Sequence, residues 1–69
     1  MPLLMSEKGE EHLIKRVGGK SETRKFLESL GFIAGARVCV ISEISGNVIV
    51  KIKDSRVAVS REMAEKIIV

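Results

Sequence analysis

The feature that most limits what this 69-residue chain can fold into is the alternation running through its second half. Over residues 37–42, Val38 and Val40 fall on one side and Arg37, Cys39 and Ile41 on the other, the period-two signature of a strand. After the turn signal Ser45-Gly46-Asn47, Val48, Val50 and Ile52 alternate with Ile49, Lys51 and Lys53. A two-residue break at Asp54-Ser55 has hairpin length, and residues 56–59 return antiparallel, with Arg56 and Ala58 opposed to Val57 and Val59. The second half is therefore predicted to be a meander of three strands.

The first half is more varied. Leu3, Leu4 and Met5 form an apolar patch next to Pro2, which argues against a long regular helix, so residues 1–8 read as an anchoring segment or short turn. Residues 11–17, with Leu13, Ile14 and Val17 and ended by Gly18-Gly19, predict the first strand. Ser21 stands where a helix N-cap belongs, and Glu22 is favoured there by the helix dipole. Thr23, Phe26, Leu27 and Leu30 follow at i, i+3, i+4 and i+7, while Arg24, Lys25, Glu28 and Ser29 face away. Gly31, just past the last apolar position, suits a left-handed C-cap, with Phe32 folding back onto the final turn. Near the end, Ser60 caps a helical turn over residues 61–64, and residues 66–69 close as a last strand.

The predicted order is strand, helix, three strands, helical turn, strand. A chain this short builds one core, so residues 1–69 are expected to form a single domain. Five short strands cannot make a sandwich of any depth, so the sheet must curl to bury its alternate residues and remove its edges. The expected fold is mainly β with one short helix, a small SH3-like β-barrel of about five strands. With 45% apolar and 30% charged residues, the composition excludes a disordered or fibrous chain. Cys39 is the only cysteine, so no disulfide within the chain supports a core expected to leave only about 3–5 kcal/mol of net stability; self-association is the remaining aid. One cysteine and no charged-then-apolar leader predict a reducing cytosol. The longest apolar run, residues 38–41, is far below the roughly 20 residues of a membrane span.

Candidate chemistry is sparse. His12 is the only histidine, and Glu10 lies on the same strand face while Glu11 points away. Glu10, His12 and Cys39 are the candidate ligands for Fe(II) or Zn(II), but no pair has a recognised metal spacing, so such a site needs ligands from a second molecule. Cys39 reads as a small apolar strand residue, since no base or helix start lies beside it in the sequence to activate the thiol. Gly18-Gly19-Lys20-Ser21 is akin to a phosphate cradle but lacks the first glycine of a P-loop. No nucleophile–base–orienter set exists around the lone histidine, and catalysis is not expected. Lys15, Arg16, Lys20, Arg24 and Lys25 face only Glu22 within eleven positions, a local net of +4. With no Trp or Tyr to stack on bases, that cluster suits anionic headgroups or an acidic protein patch better than nucleic acid.

Gly9-Glu10, Gly18-Gly19, Arg24 with Leu27, Leu30-Gly31-Phe32, and Gly35 leading to Val38 and Val40 together resemble the FeoA family, which accompanies the ferrous-iron permease FeoB in bacteria. The likeness resumes at Ala58-Val59-Ser60, Ala64, Ile67 and Val69, and so spans nearly the whole chain. Two prolines common in the family are absent, one in the segment Leu30-Gly31-Phe32-Ile33-Ala34-Gly35 and one near Gly46; the turn glycines remain. The resemblance implies an SH3-like barrel, a cytosolic location, and an accessory or regulatory role in Fe(II) uptake through contact with the permease. Arg24, Leu27, Leu30, Gly31, Phe32 and Ile33 are the expected docking surface, with the stretch from Gly31 to Gly35 leaving Phe32 or Ile33 near the surface. The alternatives are a transition-metal sensor or carrier and, less favoured by the residues, a nucleic-acid-binding small barrel.

Overall fold

In the computed structural model, which describes all residues from Met1 to Val69, alternation and turn chemistry produce the strands expected of the second half. β3 (Arg37–Ile44), β4 (Asn47–Ile52) and β5 (Ser55–Ser60) follow β1 (Glu11–Leu13), β2 (Arg16–Val17) and the helix α1 (Ser21–Ser29), and α2 (Arg61–Lys66) and β6 (Ile67–Ile68) end the chain. Ser45 and Gly46 join β3 to β4 with φ of 49° and 81°, the double positive φ whose twist matches a tight hairpin. Ile52 pairs with Ser55, so the second hairpin turns at Lys53-Asp54, one residue before the expected break, with Lys53 at φ 53°. Val48, Val50 and Ile52 are buried against Val38, Val40 and Val59, as the alternation requires.

The ladder between β3 and β4 slips between Val40, which opposes Val50, and Ser42, which opposes Ile49. Ile41 is the extra residue of this bulge, and beyond it the alternation changes phase. Glu43, rather than Ser42, opposes the buried Val48 and reaches the guanidinium of Arg61 at the start of α2.

The expected first strand is broken in two. β1 pairs with β3, whereas β2 pairs with β6. Ile14 sits at the corner, fully enclosed: its amide donates to the Ala36 carbonyl at 2.9 Å and its carbonyl accepts from Gly35 at 2.8 Å. The next amide, Lys15, turns to the Ile68 carbonyl at 2.7 Å, which moves the chain from one sheet to the other without leaving a polar group unpaired. The result is six strands in two sheets, ordered β1-β3-β4-β5 and β2-β6, an SH3-like arrangement whose barrel is open rather than a closed ring of about five strands. The amino-terminal segment does anchor: Pro2 bridges Ile68, and Leu3, in a 3-10 turn over Leu3–Met5, is completely buried.

The N-cap of α1 is Lys20 and not Ser21, because the helical bond from the Arg24 amide to the Lys20 carbonyl already places Ser21 inside the first turn. No side chain caps this end. The other end closes as expected. Gly31 adopts φ 104°, its amide donates to the Glu28 carbonyl at 2.9 Å, and Phe32 donates to the Leu27 carbonyl at 3.0 Å, the crossed pair of a Schellman motif. Leu27 and Phe32 are fully buried beneath it. At α2, the Ser60 hydroxyl accepts from the Met63 amide at 3.2 Å, and the helix runs two residues past the expected Ala64, leaving only Ile67–Ile68 as strand.

Thirteen residues form the core, and every one is apolar. A Cβ at Gly31 would stand 3.4 Å from the Ile52 Cδ1 in addition to being held at a φ that β-branched residues avoid. Gly31→Val is therefore expected to lower unfolding free energy by more than about 1 kcal/mol in a urea titration. Gly35 also has a positive φ, 88°, so that turn is not an ordinary one, but its Cβ would meet open space, and Gly35→Ala should cost less than Gly31→Val.

Candidate functional site

The capped end of α1 divides the residues expected to dock. Leu27 and Phe32 have no exposed surface, so their side chains serve the core and offer nothing to a partner. Arg24 is exposed, Leu30 and Gly31 are half-buried, and Ile33 keeps 46% of its surface. Phe26, assigned from the sequence to the buried stripe, is 48% exposed and stands one helical turn before Leu30. The apolar surface at this end is thus Phe26, the outer part of Leu30 and Ile33, with Arg24 as a cation on the same helix. The backbone beneath is fixed by the crossed bonds at Gly31, and Ala36 donates back to the Ile33 carbonyl at 3.0 Å.

The candidate metal ligands separate in the same way. Glu10 and His12 do converge, with Oε2 and Nε2 3.6 Å apart, too long for a hydrogen bond. The His12 Nε2 is enclosed and has no hydrogen-bond partner. Cys39 opposes Glu11 across the β1–β3 ladder while His12 opposes Val38, so thiol and imidazole lie on opposite faces of the sheet. The Cys39 thiol is half-buried and contacts its neighbour's carbonyl, that of Val40, at 3.7 Å. Glu11 is engaged with Arg37 at 3.7 Å. No three His, Cys, Asp or Glu side chains gather in one place, and the Glu10–His12 pair falls short of the four ligands of a closed zinc site.

Outside Cys39 the sheet carries a shallow groove of about 360 Å³, in which Arg37, Lys51 and Lys53 meet a single acid, Glu11. The other basic cluster, Lys15, Arg16, Lys20, Arg24 and Lys25, is exposed throughout and takes part in no ion pair. Because Phe32 is buried, Phe26 is the only exposed aromatic ring, and these cations have no row of rings on which bases could stack.

These features define a small SH3-like domain whose candidate sites are open surfaces rather than an enclosed cleft. A family model described as the FeoA domain matches residues 1–69 in full. A protein of Methanocaldococcus jannaschii, provisionally named Fe(2+) transport protein A, is 34% identical over 68 residues, covering 99% of this chain and 83% of that protein. Among solved structures, an iron uptake regulatory protein (FeoA) superposes with a TM-score of 0.87 at 22% identity, covering 97% of this chain and 91% of the other. FeoA of Stenotrophomonas maltophilia complexed with zinc, an SH3 domain protein, gives 0.85 at 18% identity over 99% and 87% of the two chains. A manganese-dependent transcriptional repressor contains the same fold, with a TM-score of 0.86 at 20% identity over 97% of this chain and 39% of the repressor. The chain belongs to the FeoA family.

With only two converging donors, addition of Zn(II) or anaerobic Fe(II) to a dilute sample is expected to leave the melting temperature unchanged, since specific binding to the native state must raise it. A rise that His12→Ala abolishes would show instead that metal binds there, and its growth with protein concentration would show that a second chain completes the site.

Proposed function

We propose that this chain is a non-enzymatic accessory protein of ferrous iron uptake, acting in the cytosol and docking through the end of α1 on the cytosolic part of a FeoB-type permease. The observation that carries this reading is the exposure of Phe26 and Ile33 on either side of a rigid helix cap. Apolar side chains held on a backbone that is already ordered lose little conformational entropy on binding, and aromatic rings are enriched at the cores of interfaces. Arg24 and the neighbouring cations of the segment from Lys15 to Lys25 steer the surface toward an acidic patch. No helix of the chain is long and apolar enough to cross a membrane.

A second reading has one observation in its favour, the enclosed and unpartnered His12 Nε2 beside the Glu10 carboxylate. In that reading Fe(II) is cargo or signal, held by this pair together with donors from a second molecule. That reading predicts a metal-induced rise in melting temperature that appears on concentrating the chain and is lost in His12→Ala, whereas the docking reading predicts none.

For the docking reading, Ile33→Asp and Phe26→Ser are expected to change stability by no more than about 0.5 kcal/mol, because both side chains are surface groups. Each should weaken binding to the purified cytosolic domain of the permease. Leu30→Gln should lower the melting temperature further than either, since Leu30 packs against the core. Absence of binding by the unaltered chain at roughly 50 µM would remove direct docking.

A further inference from the structure

The four-stranded sheet ends on β5, whose second edge pairs with no strand. The turn at Lys53-Asp54 closes on the Ile52–Ser55 pair, so ladder bonds to β4 fall at Ser55, Val57 and Val59, and the amides and carbonyls of Arg56 and Ala58 point to the open side. No backbone hydrogen bond outside the ladders involves either residue. β5 has no proline, glycine or bulge, Ala58 is exposed at its centre, and Arg56 is its only charge, so few of the usual guards against strand addition are present.

The two faces of this edge differ in chemistry. Toward the core, Val57 is half-buried and Val59 buried. On the outer face Arg56 stands directly across from Lys51, and Lys53 lies in the adjoining turn. None of these three cations takes part in an ion pair. A second copy pairing here about Ala58 would bring the Lys51, Lys53 and Arg56 sets of both chains onto one face, which like-charge repulsion opposes.

We propose that β5 is a docking edge for an extended acidic segment of a partner protein, which adds to the sheet as a fifth strand. Main-chain bonds to Arg56 and Ala58 supply affinity, and alternate side chains supply selection. Apolar residues of the incoming strand cover the open part of Val57, and carboxylates on its other face meet Arg56 and, beyond it, Lys51. This surface uses none of the α1 residues, and its existence does not depend on the identity of the partner bound there.

The test uses the full chain, isotope-labelled, with an end-capped octapeptide of alternating valine and glutamate as probe. The expected result is slowed solvent exchange of the Arg56 and Ala58 amides, and affinity about tenfold above that for the valine–lysine octapeptide. Arg56→Glu, a change at an exposed side chain that leaves the fold intact, should reverse that preference. Methylation of alternate amide nitrogens in the glutamate peptide should abolish binding while leaving its charge unaltered. The proposal is overturned if the methylated peptide binds equally well, if the protected amides lie elsewhere, if the lysine peptide binds as tightly, or if Arg56 and Ala58 become protected simply on concentrating the free chain, which would mark a second copy as the occupant.

Discussion

The crossed hydrogen bonds that close α1 are the constraint on which the remaining structure rests. A helix of nine residues is marginal on its own, and α1 buries a single side chain, Leu27. What holds it is the reversal at Gly31, which returns Phe32, the largest fully buried side chain, beneath the last turn. The same reversal delivers Gly35 and Ala36 to Ile14, where they fasten the corner at which the chain passes from β1 to β2. One left-handed residue thus positions the helix, the centre of the core and the junction of the two sheets.

The elements that could be read from the sequence are those whose signal is local. The alternation from Val38 to Val59, the Ser45-Gly46 turn, the Ser60 cap and the Gly31 reversal each state their geometry within a few residues. The features that could not be read depend on distant partners. Nothing between Glu11 and Val17 says that Leu13 belongs to one sheet and Arg16 to another, because the break is set by Ala36 and Ile68. The bulge at Ile41 is likewise invisible, since it is a mismatch between two strands and not a property of either. Lys53 was not expected at a positive φ, yet hairpin twist imposes it once Ile52 and Ser55 pair.

The candidate surfaces were legible to a similar degree. Helical spacing shows that Thr23, Phe26, Leu27 and Leu30 share a stripe, but not how wide a strip the sheet covers, so Phe26 emerged on the surface while Phe32, beyond the helix, was drawn inside. Strand parity correctly joined Glu10 to His12; it could not place Cys39, whose face depends on the β1–β3 register. The open edge of β5 runs against the expectation of a closed barrel, which removes all edges, whereas two separate sheets leave this one free.

The core holds no polar side chain, and this has an effect on how such chains diverge. Buried hydrogen-bonded groups must change in concert, because removing one partner strands the other. An interior of valine, isoleucine, leucine, alanine and a single phenylalanine has no such pairs, and its residues interchange as long as the total volume and the alternation persist. Sequence drift through the interior is therefore cheap. The few backbone positions that must be left-handed have no comparable freedom. For chains built in this way, shared ancestry is expected to outlast residue identity, and to be recorded more durably in where the chain turns than in what it buries.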